Sequence, residues 1–202
     1  MKAIILNGTL KPSPAPSNTE ALAGYLAGAL ERHGVQTEQI RLVDHDVKPG
    51  VESDMGDADA WPAIRERIVT AEILVVATPT WLGQHSSVTQ RALERMDALL
   101  SETDDDGVPI AYNRVGGVVV TGNEDGAHHV IAVVAQCLID IGFTVPGQAW
   151  TYWNKGPGPG DEEYANSDDT DWTHATADAA AHNLVAVARA LAANPISTPP
   201  NA

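Results

Sequence analysis

Cysteine is almost missing from this chain: Cys137 is the only one in 202 residues. A single thiol excludes internal disulfides and any cysteine-ligated cluster held by one chain, and its apolar helical surroundings mark it as an inert core thiol. Phenylalanine is as scarce, with Phe143 alone, although 44% of the residues are hydrophobic. The core must therefore be built from Val, Ile, Leu and Ala, the usual filling of a parallel sheet under helices. Basic residues are also few, 12 Lys and Arg against 27 Asp and Glu, for a net charge of -15. Nucleic acid is excluded as a partner, because a phosphate backbone needs a basic footprint. The acidity suits solubility, a high-salt cytosol or docking onto basic redox proteins. No apolar run approaches membrane-spanning length and no charged-then-apolar leader is visible, so the expectation is a cytoplasmic protein without membrane insertion. Both nucleotide fingerprints are missing too: there is no Gly-x-x-x-x-Gly-Lys-Ser/Thr, and Gly8 alone does not make Gly-x-Gly-x-x-Gly.

What is present alternates. Ala3 to Leu6 is a short apolar run, as in a central parallel strand covered on both faces. Ala21, Leu22, Tyr25, Leu26, Ala29 and Leu30 then recur at helical spacing and stop at Gly34. Val35 to Val43 alternates like an exposed edge strand, and 44–59 is an acidic loop. A short helix over 61–71 precedes the apolar strand 73–78, a helix over 88–100 precedes the strand 115–121, and a helix over 126–141 precedes a last strand at 142–146. A polar insertion at 153–171 and an alanine-rich helix at 173–193 close the domain. The pattern predicts one α/β domain over 1–193, a five-stranded parallel sheet with helices on both faces and a disordered tail at 194–202. With the second strand at an edge, the order is 2-1-3-4-5, and ligands belong beyond the carboxyl ends of the first and third strands.

Three loops meet there. The first runs from Gly8 through Pro12, Pro14 and Pro16 to Ser17-Asn18-Thr19-Glu20, which fits a capping box. A helix N-terminus directly after a strand offers free N–H groups and a positive dipole end to a phosphate, with Thr9, Ser13, Ser17, Asn18 and Thr19 as further donors. An ordinary capped helix remains the alternative, and Glu20 counts slightly against an anion. The second loop is Thr78-Pro79-Thr80-Trp81-Leu82-Gly83, a rigid turn ending in a glycine that allows close backbone approach. Its alternative reading makes Trp81 a core aromatic and Gly83 a turn glycine. The third is Gly122-Asn123-Glu124-Asp125-Gly126, followed by His128 and His129. That His pair lacks a third ligand at helical spacing and makes a poor metal site. Trp150, Tyr152 and Trp153, ahead of residues 156–160, are expected to form either an aromatic lid or an oligomer contact, with the contact preferred.

These loops resemble those of the flavodoxin-like NAD(P)H-dependent FMN and quinone reductases. The Asn-Gly-Thr loop ending in Ser17-Asn18-Thr19 is similar to the family's FMN-phosphate loop, with Lys11 where an arginine is common. Thr78 to Gly83 resembles the segment along the isoalloxazine ring, with Trp81 in place of the usual tyrosine. Gly122 to Gly126 occupies the position of the third flavin loop. The resemblance implies bound FMN, NAD(P)H as co-substrate and a small-molecule electron acceptor such as a quinone or free flavin, in a homodimer or homotetramer. It implies cofactor contacts from Thr9, Lys11, Ser17, Asn18, Thr19, Pro79, Thr80, Trp81, Leu82, Gly83, Gly122, Asn123, Glu124, Asp125 and His128. No protein group is expected to act as nucleophile or general base, because the flavin carries the chemistry. Two rival functions use the same fold: a flavodoxin-type one-electron carrier, whose Thr-x-Thr-Gly-x-Thr loop the chain does not match, and a flavin-free binding module.

Overall fold

The computed structural model describes residues 1–156 and 161–198. Its elements run β1 (Lys2–Asn7), α1 (Asn18–Arg32), β2 (Gln36–Arg41), α2 (Trp61–Val69), β3 (Ile73–Trp81), β4 (Gln84–His85), α3 (Ser87–Met96), β5 (Val115–Gly122), α4 (Ala127–Ile141), β6 (Trp150–Asn154) and α5 (Asp171–Ala193). The main sheet is parallel in the order β2-β1-β3-β5-β6, with the two-residue β4 folded back antiparallel on β3. Its five parallel strands thus follow the expected 2-1-3-4-5 order. β1 is flanked on both sides, pairing Ile4 with Glu38 and with Leu74, which is why Ala3 to Leu6 carry no polar alternation and are fully buried.

Two cores sit on the two faces. On one, Trp61, Ile64 and Ile68 of α2, Leu93 and Met96 of α3 and Val130, Val134 and Leu138 of α4 cover Ile4, Leu6, Leu74 and Val118. On the other, Leu22, Leu26 and Leu30 of α1 and Ala177, Ala181 and Leu184 of α5 cover Ile5, Val75 and Val119. Burying each such Leu, Ile or Val side chain contributes roughly 1.5–3 kcal/mol. The alanines let α5 lie close to the sheet, where a Cβ at Gly117 would stand 3.1 Å from Leu184.

The last strand is not where periodicity placed it. The expected strand at 142–146 makes only a bridge from Thr144 to Val115, and Pro146 has no N–H to extend the ladder. The regular pairing falls on Trp150–Asn154, whose aromatic and β-branched residues suit a strand. Trp153 therefore belongs to the sheet instead of opening an insertion, and it is buried. Trp150 and Tyr152 are half-buried and pack with Trp172 and His128 in one aromatic group. Of the 156–160 segment, only Gly156 lies within the described residues. In the segment after α5, Ile196 exchanges hydrogen bonds of 2.7 and 3.1 Å with the Asn113 side chain; 199–202 lie outside the described residues.

Several side chains tie down the acidic loop after β2, Arg91 at the Val47 carbonyl among them, and one reaches it at three points. Arg95 of α3, fully buried, donates to the carbonyls of Glu52 and Lys48, both at 2.9 Å, and lies 2.8 Å from the Asp59 carboxylate, also fully buried. Burial pushes the Asp59 carboxyl up, but the Arg95 guanidinium and the N–H groups of Met55, Trp61 and Lys48 outweigh it and hold the carboxyl well below the usual carboxylate range.

Candidate functional site

The carboxyl ends of β1 and β3 are bound to each other and to the head of α3, largely by small hydroxyl side chains. The Gly8 N–H donates to the Ala77 carbonyl at 2.7 Å, and the Gly8 carbonyl accepts from Ser86 Oγ at 2.6 Å. Thr78 Oγ1 accepts from the Ser86 N–H and from Thr89 Oγ1 at 3.1 and 3.0 Å. A Cβ at Gly8 would stand 1.9 Å from Thr89 Oγ1, so the opening loop reaches β3 and α3 this closely only because the position is glycine. Asn7 Oδ1 accepts from the Thr9 N–H at 3.0 Å and turns the chain out of β1.

The first loop then enters α1 through Ser17, whose side chain accepts from the Glu20 N–H at 3.2 Å. Only half of the capping box forms, because the Glu20 carboxylate turns away to a short contact with Arg41. That contact pairs the Glu20 carboxylate, which would otherwise repel an anion at the head of α1, with a cation. Arg41 also donates to the carbonyls of Lys11 at 3.1 Å and Ala15 at 2.9 Å, so a guanidinium 8% exposed braces the whole loop from behind. Sequence reasoning missed it: Arg41 ends an edge strand, and nothing local distinguishes it from a solvated charge. Asn18 and Thr19 stand at the first two helical positions, whose N–H groups have no intrahelical acceptor. The Thr19 hydroxyl lies 2.8 Å from that of Thr121, tying α1 to the end of β5.

These groups border a cavity of about 640 Å³, counting its open mouth. Of the expected residues, it brings together Thr9, Lys11, Ser17, Asn18, Thr19, Pro79, Thr80, Trp81, Gly122 and Asn123. Thr80 Oγ1 is buried with no partner among the described residues, an unpaired polar group in the cavity wall that a ligand would satisfy. Trp81 is 54% exposed at the rim and is not a core aromatic.

Five expected residues do not line the cavity. Leu82 has a φ of 52° and is 92% exposed. Gly83, with a φ of 74°, backs onto Gly126, where an added Cβ would come within 2.9 Å of the Gly83 Cα. Glu124 accepts the Leu82 N–H at 2.7 Å and so joins the second loop to the third. Asp125 lies beside Gly156, and the His128 ring meets Trp150 and Tyr152 edge-on at 5.6 and 5.1 Å. His129 and His85 contact Gln84 and Gln90, and among the described residues no group of three His, Cys, Asp or Glu is arranged to hold a metal ion.

The cavity has a wall that sequence reasoning did not provide. Trp153, Glu162 and Glu163 complete the lining with Leu10 and Thr121. Pairing with Thr121 carries Trp153 to the carboxyl end of the sheet, a placement visible only once β6 is set in its true position. Residues 161–170 fold back over the α1 N-terminus: the Ala165 N–H donates to Asn18 Oδ1 at 3.1 Å, and Lys155 pairs with Glu162 and Asp169 at 3.3 and 3.6 Å. The Ser167 hydroxyl, followed by Lys155, holds the Glu162 carboxyl below its ordinary value.

A doubly wound sheet in this order, with its cavity between a helix N-terminus and the loops of the two adjoining strands, defines a flavodoxin-like protein with a mononucleotide-type site at the switch point. Residues 1–158 match the model of the NADPH-dependent FMN reductases, and the chain belongs to that family. FMN and NAD(P)H are the cofactor and co-substrate this membership supports. The chain is 38% identical to a Mycobacterium bovis protein named divalent metal cation transporter MntH, over 98% of this chain but 30% of that protein. It is also 38% identical to the 8-demethyl-8-aminoriboflavin-5'-phosphate synthase of Streptomyces davaonensis, over 79% of this chain and 66% of the synthase. The chain thus spans less than two thirds of either relative. Among solved structures, RosB with a bound 8-demethyl-8-formylriboflavin-5'-phosphate intermediate superposes with a TM-score of 0.88 at 34% identity, covering 98% of this chain and 82% of RosB. No helix among the described residues is long and apolar enough to cross a membrane.

Proposed function

We propose that this chain is an FMN-dependent oxidoreductase that passes hydride from NAD(P)H through bound flavin to a small-molecule acceptor, a quinone or free flavin. One observation carries the reading: the α1 N-terminus, the hydroxyls of Thr9, Ser17 and Thr19 and the unpaired Thr80 Oγ1 all border one cavity at the switch point. The donor set suits a phosphate monoester. Free N–H groups at the head of α1, the Ser17 and Thr19 hydroxyls and Lys11 would hold the phosphate, with Arg41 fixing the loop's shape. Pro79, Thr80, Trp81, Gly122 and Asn123, which line the rest of the cavity, would border the ring. Leu82, Gly83, Glu124 and Asp125 act through loop geometry, and His128 belongs to the aromatic group on β6. When bound, the flavin supplies hydride acceptance and donation. The protein works in the cytoplasm as a homodimer or homotetramer.

The experiment is reconstitution followed by rapid mixing with NAD(P)H under anaerobic conditions. Bleaching of bound flavin, with recovery on adding a quinone, is the expected result. A flavin that binds but is not reduced by either nucleotide points to the one-electron carrier, and a protein that retains no flavin points to the binding module. A second reading is favoured by the relative named for making 8-demethyl-8-aminoriboflavin-5'-phosphate and by the likeness to RosB: FMN is here the substrate and leaves altered on its ring. Mass analysis of the released flavin separates the two, since an oxidoreductase returns FMN with its mass unchanged.

A further inference from the structure

A series of rings leads away from the cavity, and flavin binding has no need of it. Trp153, 4% exposed, lines the cavity, and Tyr164 lies edge-on to it with centroids 6.1 Å apart. The Tyr164 hydroxyl is 2.9 Å from His174 Nε2. The His174 ring stacks flat on Tyr25, 3.9 Å between centroids and 4° between planes. The Tyr25 hydroxyl donates to Asp178 Oδ2 at 3.4 Å, and that carboxylate is 50% exposed. Arg32 covers Tyr25 at 6.0 Å and pairs with the same carboxylate at 2.6 Å. The series therefore begins at the cavity wall and ends at the surface between α1 and α5.

Indole and phenol are among the side chains that give up one electron most readily, and a phenol does so at an accessible potential when its proton leaves as well. Each phenol here has a group at its hydroxyl able to take its proton: His174 for Tyr164, in the tautomer that leaves Nε2 unprotonated, and Asp178 for Tyr25. Burial, followed by the neighbouring Tyr25, pushes the Tyr164 phenol up to about 12, so its ground state is neutral and the proton has to move with the electron. Packing alone would be met by a phenylalanine, without an imidazole placed at the hydroxyl of a residue only 8% exposed.

We infer that Trp153, Tyr164 and Tyr25 form a hole-transfer chain that carries oxidising equivalents from a flavin in the cavity to the protein surface. The inference rests on the proposed flavin site. A photoexcited, oxidised isoalloxazine bound in the cavity would supply the oxidising equivalent, and the Trp153 indole would give up one electron to it. Tyr164 refills that hole with one electron while its phenolic proton passes to His174 Nε2. Tyr25 then supplies one electron to Tyr164, its own proton goes to Asp178, and His174 returns the first proton to Tyr164. The net change is one electron moved from Tyr25 to the flavin and one proton from Tyr25 to Asp178. The damaging equivalent leaves the cavity for a place where a solvent reductant can quench it.

The test is laser flash spectroscopy of the FMN-loaded protein in a Trp81→Phe background, so that Trp153 is the only tryptophan lining the cavity. Co-elution of flavin with each variant is checked first. The background protein should show a long-lived tyrosyl radical after the flash. Trp153→Phe should lose it, and Tyr164→Phe should leave a tryptophan radical that recombines without a tyrosyl signal. Tyr25→Phe should keep a shorter-lived tyrosyl on Tyr164, and heavy water should slow its appearance. Flavin that binds without any tyrosyl signal, or a signal unchanged by Trp153→Phe or Tyr164→Phe, overturns the chain and leaves the oxidoreductase reading standing. Failure of the parent protein itself to bind FMN overturns both.

Discussion

Two loops that follow strands of the sheet are held by the same device and put it to different use. The loop over 8–17 rests on Arg41, which binds two carbonyls, of Lys11 and Ala15, and one carboxylate, of Glu20. The loop over 44–60 rests on Arg95, which binds the carbonyls of Glu52 and Lys48 and the carboxylate of Asp59. A guanidinium suits both places, because its planar fork serves several oxygens at once from one buried stem. The surroundings differ. Arg95 and Asp59 are wholly buried, whereas the Glu20 side chain is 44% exposed. Lys11 lines the cavity, while Lys48, Glu52 and Asp59 do not. One arginine holds the fold and the other holds a binding surface, so their removal should register in different measurements.

Asp59→Ala should give the largest effect, since it strands Arg95 as an uncompensated buried charge at a cost of about 3–5 kcal/mol. Denaturant unfolding measures it, while FMN affinity per folded molecule should stay at the parent value. If FMN affinity falls as far as stability does, the two loops are one cooperative unit and the contrast fails.

Acid sharpens the same comparison. The unfolded Asp59 carboxyl titrates near about 3.9, and its folded value is depressed. Its contribution is therefore fully present above the unfolded value and is lost only as pH falls towards the lower folded one. Unfolding free energies followed from neutral pH downward should show the parent losing more than Asp59→Ala below the ordinary carboxylate range, with the two curves converging in strong acid.

Arg41→Gln should act on binding. It removes the cation that bonds two loop carbonyls and pairs with Glu20, and contacts of this charged kind are worth about 1.5–3 kcal/mol each. FMN should bind about tenfold more weakly or worse, while riboflavin, which lacks the phosphate, should be nearly unaffected. Calorimetric titration with both ligands makes the distinction, and equal losses would place Arg41 with Arg95 as a structural brace.

The smallest effect belongs to the rim. Trp81→Ala removes an exposed ring whose aromatic contact is worth about 0.5–1.5 kcal/mol beyond its buried area. Stability should not change, and the bound flavin spectrum should shift with a modest loss of affinity.

Much of this molecule can be read locally. The unbroken apolar run of β1, the helical spacing of Leu22, Leu26 and Leu30 and the Ser17 cap each occupy a few consecutive turns or pleats, and periodicity reports such features directly. Because they alternate, they also imply the strand order and the end of the sheet where loops converge. Residues such as Ser17, Asn18, Thr80 and Gly122 were legible because they stand at the head of α1 or at the carboxyl ends of β3 and β5.

What the sequence by itself determined is thus the alternation of elements, the edge at which a ligand belongs and the loops that face it. The tertiary structure alone decided which side chains complete the site. Arg41 meets Glu20 across 21 positions and Arg95 meets Lys48 across 47, and Trp153 enters the cavity because β6 pairs with β5 eight residues beyond the start of the expected strand. Gly83 backs onto Gly126 and Glu124 accepts from the Leu82 N–H, a loop-to-loop packing that only their meeting in space reveals. The physical reason is the same in each case: periodicity records which face of an element is buried, whereas the partner of a single polar or aromatic group is fixed by how distant elements cross, and that leaves no trace in its neighbours along the chain.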